Sequence, residues 1–167
     1  MTFATAQILT AQDLDDIVQI SALAADQTSQ SSTTPTPCYG LSLELKAGTR
    51  YAIDGYFAFF STTTADIKFA LDIPSGSGGR WGVEGVQSGS AYPGPPEWFL
   101  FDDMFGSANG YGNAGAGTST PLWGNLSGYI STFGAGTLQV LFAQTVSEAT
   151  FTTMKAGSWI RAAILPA

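Results

Sequence analysis

From Cys38 to the C-terminus, apolar and polar residues either alternate with a period of two or run together in short stretches rich in Phe, Tyr, Ile, Val and Thr. Glycine or proline interrupts most of these runs. Period-two alternation places successive side chains on opposite faces of an extended chain, so the pattern predicts strands joined by turns. About eight strands are expected, over 38–45, 50–61, 66–73, 80–87, 123–132, 137–146, 149–154 and 158–165. In the third, Ile67, Phe69, Leu71 and Ile73 face one way while Lys68, Ala70 and Asp72 face the other, which marks one wet face. In the second, Tyr51, Ile53, Phe57 and Phe59 share a face, yet Tyr56 and Phe60 lie on the opposite one. Both faces are partly apolar, as expected of a strand that meets another subunit. Glycines in KAGTR at 46–50, FGAGT at 133–137 and KAGS at 155–158 supply turns between strands. Strands without intervening helices predict an all-β fold, an antiparallel β-sandwich that is jelly-roll-like.

The pattern before Cys38 is different. Thr10 and Asp13 form a capping pair, and Leu14, Ile17 and Val18 follow at i, i+3 and i+4, with Asp13, Asp15, Asp16 and Gln19 opposite. This spacing predicts a short helix over 11–24 whose early aspartates complement the helix dipole. DQTSQSSTTPTP, from Asp26 to Pro37, has no apolar periodicity and two prolines, so it is expected to be an extended linker. The chain then divides into an N-terminal arm, 1–37, and a sandwich domain, 38–167. A lone amphipathic helix cannot bury its own apolar stripe, which makes Leu14, Ile17 and Val18 candidate anchoring residues.

A second exception lies between Pro74 and Trp123, where SGSGG, YPGPPEWF and NGYGNAGAG occur. Its middle, 88–122, is expected to be a loop longer than a connection requires, and such loops carry function or interfaces. Tyr92, Trp98, Phe99, Phe101, Phe105 and Tyr111 lie in it as a candidate interface or display set. They can cover the open end of the sandwich, fill a subunit contact, or offer stacking platforms to a sugar or receptor.

Composition narrows the function. At 167 residues the chain suits one domain, and 44% apolar residues with 11 Phe, 6 Tyr and 4 Trp supply a core. Only 11% of residues are charged, so much of the surface is neutral, which suits a subunit held against other subunits. The net charge is −7, and the six cations (Lys46, Arg50, Lys68, Arg80, Lys155 and Arg161) are scattered in sequence. Phosphate binding needs clustered cations, so no nucleic-acid partner is expected. No membrane partner is expected either, since no window approaches the ~20 apolar residues of a span. Cys38 alone cannot form an intrachain disulfide and reads as a small buried hydrophobe. MTFATAQILT lacks a secretory pattern, so synthesis in a cytoplasm is expected.

The chain has no histidine, which removes Ser-His-Asp and Cys-His nucleophiles and imidazole metal ligation together. Glu97, Asp102 and Asp103 could form the paired carboxylates of a carbohydrate-active enzyme, but adjacent aspartates on an extended segment point to opposite sides. Asp13, Asp15 and Asp16 lack the spacing of a calcium loop, and the glycine runs lack a phosphate-loop ending. The expectation is a protein that is no enzyme, with no catalytic residue, no metal and no cofactor.

Four segments resemble a known family. They are ILTAQDLDDI (8–17), LELKAGTRYAIDGYFAF (43–59), ADIKFALDIPSGSGGRW (65–81) and GTLQVLFAQTVSEATFTTMKAGSWIRAAIL (136–165). They are similar to small structural modules of tailed bacteriophages, particularly those of actinobacteria. The resemblance implies a jelly-roll-like homotrimer in the virion whose N-terminal segment anchors it to the particle. It implies a capsid decoration protein bound to the phage major capsid protein, or else a minor tail protein among other tail proteins, acting as a tail-fibre or tail-tip host-binding module.

Overall fold

Every second side chain of Arg50–Ser61 is buried, from Tyr51 to Ser61, and the same alternation recurs in the neighbouring strands. The computed structural model describes residues 17–85, 97–102, 105 and 111–166. Among them twelve strands and no helix are found. They are β1 (Val18–Ala22), β2 (Gln27–Ser29), β3 (Thr36–Leu45), β4 (Arg50–Ser61), β5 (Ile67–Asp72) and β6 (Gly78–Gly85). β7 (Glu97–Asp102), β8 (Tyr111–Asn113), β9 (Gly117–Ser131), β10 (Gly136–Ala143), β11 (Thr152–Met154) and β12 (Trp159–Ile164) follow.

All the pairings are antiparallel and they are nested. β1 and β2 pair with β12 and β11, β3 with β10, β4 with β9, and β5 with β8. β12 also joins β4, and β10 joins β5, so the nest folds into a larger sheet, β1-β12-β4-β9-β6-β7, and a smaller one, β3-β10-β5-β8. A long hairpin wrapped into two facing sheets is the jelly roll, and the expected fold class holds. β6 and β7 form a hairpin inserted between β5 and β8, and it extends the larger sheet beyond β9.

Four expectations are corrected. The helix over 11–24 is, in its described part, a strand: Val18, Ile20 and Ala22 alternate with Gln19 and Ser21, and β12 offers a partner ladder. β-Branched Val and Ile suit that ladder better than a helix, while Leu14 and the rest of 11–16 lie outside the described residues. The linker at 26–37 contains β2 and the start of β3; Pro37 is tolerated because β3 is an edge strand. The region 88–122 contains β7, β8 and the start of β9. KAGS at 155–158 is no hairpin turn: β11 and β12 run along the same strand β4, with Lys155 to Ser158 bulging opposite Phe57 and Ala58.

Asp26 holds that bulge to the edge strand. Its carboxylate accepts from Lys155 Nζ and from the Ala156 amide, the latter at 2.9 Å, and Leu23 exchanges backbone hydrogen bonds with Ser158 and Gly157. Hydrogen bonding to Lys155 first, then to Ala156, keeps the Asp26 carboxyl below its ordinary value of 3.8. A lowered folded pKa means stability that is present above the ordinary value and lost as pH falls through the folded one. Hydrogen-exchange protection at Leu23 and Gly157 is therefore expected to weaken on acidification below about pH 4, and Asp26→Asn is expected to remove that pH dependence. Unchanged acid sensitivity in the variant would show that another group holds the bulge.

The core lies between the sheets. Phe57 and Phe59 of the larger sheet meet Phe69 of the smaller, with ring centroids 5.0 and 5.6 Å apart. Trp81 of the inserted hairpin is fully buried with them, as are Leu138 and Val140 of β10. Each such aromatic or aliphatic side chain contributes roughly 1.5–3 kcal/mol through burial. Cys38 is buried in the same cluster as expected, and desolvation pushes its thiol pKa up to about 12, so it stays protonated. The face assignment of β5 holds, but its outer face is not wet throughout: Ala70, outward with Lys68 and Asp72, is fully buried beside its partner Leu141. On that outer face Asp72 is exposed and Lys68 half-buried.

Candidate functional site

The outward positions of β4 are Arg50, Ala52, Asp54, Tyr56, Ala58 and Phe60, since their neighbours in sequence supply the core. Register then fixes what stands beside them. One row across the larger sheet reads Ala22, Trp159, Tyr56, Asn125, Glu84. The adjacent row reads Ile20, Arg161, Asp54, Ser127, Gly82, and the next reads Val18, Ala163, Ala52, Tyr129, Arg80. Trp123 stands beside Ala58. The outer face of this sheet is thus set with aromatic rings and arginines rather than the Ser and Thr typical of a solvated sheet.

These side chains are exposed in part: Ile20 to 66%, Trp123 to 41%, Val18 to 41% and Tyr56 to 37%. The charges among them are ordered. Arg161 donates to both carboxylate oxygens of Asp54, at 2.9 and 2.8 Å, and the hydrogen bonds raise the guanidinium pKa further. Its guanidinium also lies 6.0 Å from the Trp159 ring, and Arg50 lies 5.6 Å from the Tyr129 ring. Asn125 donates to Glu84 at 3.4 Å. Bidentate pairing and ring stacking hold long side chains in one rotamer, so less entropy is lost when a partner arrives.

The residues singled out from sequence are distributed around this face. Trp98, Phe99 and Phe101 lie on β7, the far edge of the larger sheet, opposite Glu84, Val83 and Trp81. Tyr111 lies on β8, the far edge of the smaller sheet, opposite Phe69. Phe105 is partly buried against the core, and Tyr92 lies outside the described residues. Val18 is on the face; Ile17 accepts the Ile164 amide at 2.9 Å through its carbonyl, and Leu14 is outside the described residues. Glu97 and Asp102 occupy opposite ends of β7, and Asp103 is not among the described residues. Tyr56 stands out from sequence through the doubly apolar pattern of 50–61, whereas Trp123 and Trp159 have no such signal and join it only through strand pairing.

Among the described residues no group of His, Cys, Asp and Glu is placed to hold a metal, and no helix is long and apolar enough to cross a membrane. No protein-family model matches the chain, and no curated protein is significantly similar to it. Solved structures with some likeness include that of infectious bursal disease virus Gx strain, at 13% identity and a TM-score of 0.35 over 98% of this chain. The infectious bursal disease virus VP2 subviral particle is another, at 11% identity and a TM-score of 0.25 over 90% of this chain. The chain spans 37% and 41% of those two chains. The fold assignment rests on the strand pairing itself.

Proposed function

We propose that this chain is a structural protein of a virus particle, working by protein–protein contact and not by catalysis. The observation that carries the reading is the outer face of the larger sheet. A jelly roll hosts many functions, so function must be argued from the site. Here the site is a surface of Trp, Tyr and Arg on a chain with few charges, the composition that interface centres favour.

In the finer form of the proposal the protein is a homotrimeric capsid decoration protein of a tailed bacteriophage, attached to the major capsid protein. The resemblance of residues 8–17, 43–59, 65–81 and 136–165 to phage structural modules supports this, with the segment before β1 as the attachment arm. Three arms on one trimer would raise the effective concentration of each contact. Cryo-electron microscopy of purified particles tests it. Copies repeated over the capsid lattice are the expected result. Density restricted to the tail would replace decoration with a host-binding tail role, and particles lacking the chain would overturn the virion reading.

A further inference from the structure

We infer that residues 18–29, which carry β1 and β2, form a strap that each copy of this chain lays across a second copy, remaking there the contacts shown within one chain. This rests on the homotrimer reading and names the element that joins the copies. The strap is lightly attached. Of its residues only Leu23 is buried. Its inward positions are polar: Gln19 donates to the Glu44 carbonyl at 2.7 Å, Ser21 donates to that of Gly40, and Gln27 accepts from the Tyr39 amide at 2.9 Å. A groove stays open between β1 and β3, lined by Gln19, Ser21, Ser42 and Glu44. Ladders to β12 and β11 and the Asp26 clip at the bulge complete the attachment. An edge element with one buried side chain opens at a far lower free energy than the core.

The hinge favours exchange. Residues 30–35 join β2 to β3, and Ser31 among them is held at a φ of 52°, in the left-handed region that serine adopts at a cost. The bonds that hold it run to the loop after β10: the Ser31 amide donates to the Glu148 carbonyl at 2.9 Å, and the Gln30 side chain to the Ala149 carbonyl at 3.2 Å. Pro35 and Pro37 disfavour a helical turn at the residues before them, so a hinge released from Ser31 straightens. Straightened, six residues at ~3.3–3.6 Å each reach about 20 Å, enough to cross to an adjoining subunit. Short hinges under strain favour exchange of identical elements, because every contact of the strap is remade on the second copy and only the strain is lost. The occupant is thereby fixed: the edges of β12 and β11, the Leu23 pocket and the partners of Asp26 recur on every copy. Straps passed in one direction around three copies close a ring.

Oxidative cross-linking of the full chain, with light scattering for its mass, tests this. The Ile164 amide donates to the Ile17 carbonyl, so Val18 and Ala163 form a non-hydrogen-bonded pair. Cα atoms of such a pair stand roughly 4.5 Å apart, within disulfide range. In a chain carrying Val18→Cys and Ala163→Cys the expected product is a disulfide between copies, seen as covalent trimers on a denaturing, non-reducing gel. Cys38 is buried and does not compete. Ser31→Gly, which relieves the hinge, is expected to raise the concentration at which half the chains assemble about 5-fold. A wild-type chain that stays at the 17.4 kDa of one copy would overturn the homotrimer reading and this inference with it. A wild-type trimer whose disulfide forms only within chains would overturn this inference alone, and so would an assembly midpoint unmoved by Ser31→Gly. A folded double-cysteine chain with no disulfide of either kind would show that β1 does not lie on β12, which overturns it too.

Discussion

Replacing Phe69 with alanine is expected to lower the unfolding free energy by about 3–5 kcal/mol, measured by urea titration. Phe69 is fully buried on the smaller sheet, and its ring touches those of Phe57 and Phe59, which both belong to the larger one. The three rings therefore join the two sheets directly. Truncation removes the burial term, leaves a cavity that rigid strands on both sides cannot close, and takes away two aromatic contacts worth about 0.5–1.5 kcal/mol each. Against a typical total of about 5–15 kcal/mol the loss is large. A loss below about 1 kcal/mol would show that the sheets are held elsewhere.

The next largest effect is expected from Gly128→Ala on β9. A Cβ there would stand 2.3 Å from the Arg80 carbonyl oxygen and 2.7 Å from Trp81 Cα. The obstruction is backbone, so no side-chain rotation relieves it; the inserted hairpin would have to move away from β9 and withdraw Trp81 from the core. Overpacking of this kind costs about 1–3 kcal/mol, and the upper end applies here. For a chain of this size that corresponds to a melting point lower by about 6–12 °C. The fluorescence of Trp81 is expected to shift to the red as its ring meets water. An unchanged melting point would show that β6 can slide past β9 at low cost.

Several features were legible because they depend on near neighbours in sequence. Each of the eight windows expected to be extended contains a strand, and Tyr51, Ile53, Phe57 and Phe59 share the buried face that their alternation implied. Cys38 was correctly placed inside. The failures share a cause. Residues 17–29 carry weak local preference, and Ile17 with Val18 satisfies a helical spacing as well as a strand one. What resolves the ambiguity is the ladder offered by β12 and β11, more than 120 residues away in the chain. β7 and β8 were hidden for the same reason, since Gly and Pro nearby signal a loop while β6 and β5 supply the pairing.

Alternation and turn residues alone determined that this is a two-faced β protein with its aromatics divided between core and surface, because a period of two is a local property of an extended chain. Only the tertiary structure decided which strands are neighbours, that the pairing is nested into a jelly roll, and that Tyr56, Trp159, Trp123 and the arginines stand together on one outer face. Those residues come from β4, β6, β9 and β12, and backbone hydrogen bonds between strands, which carry no side-chain label in the sequence, bring them side by side.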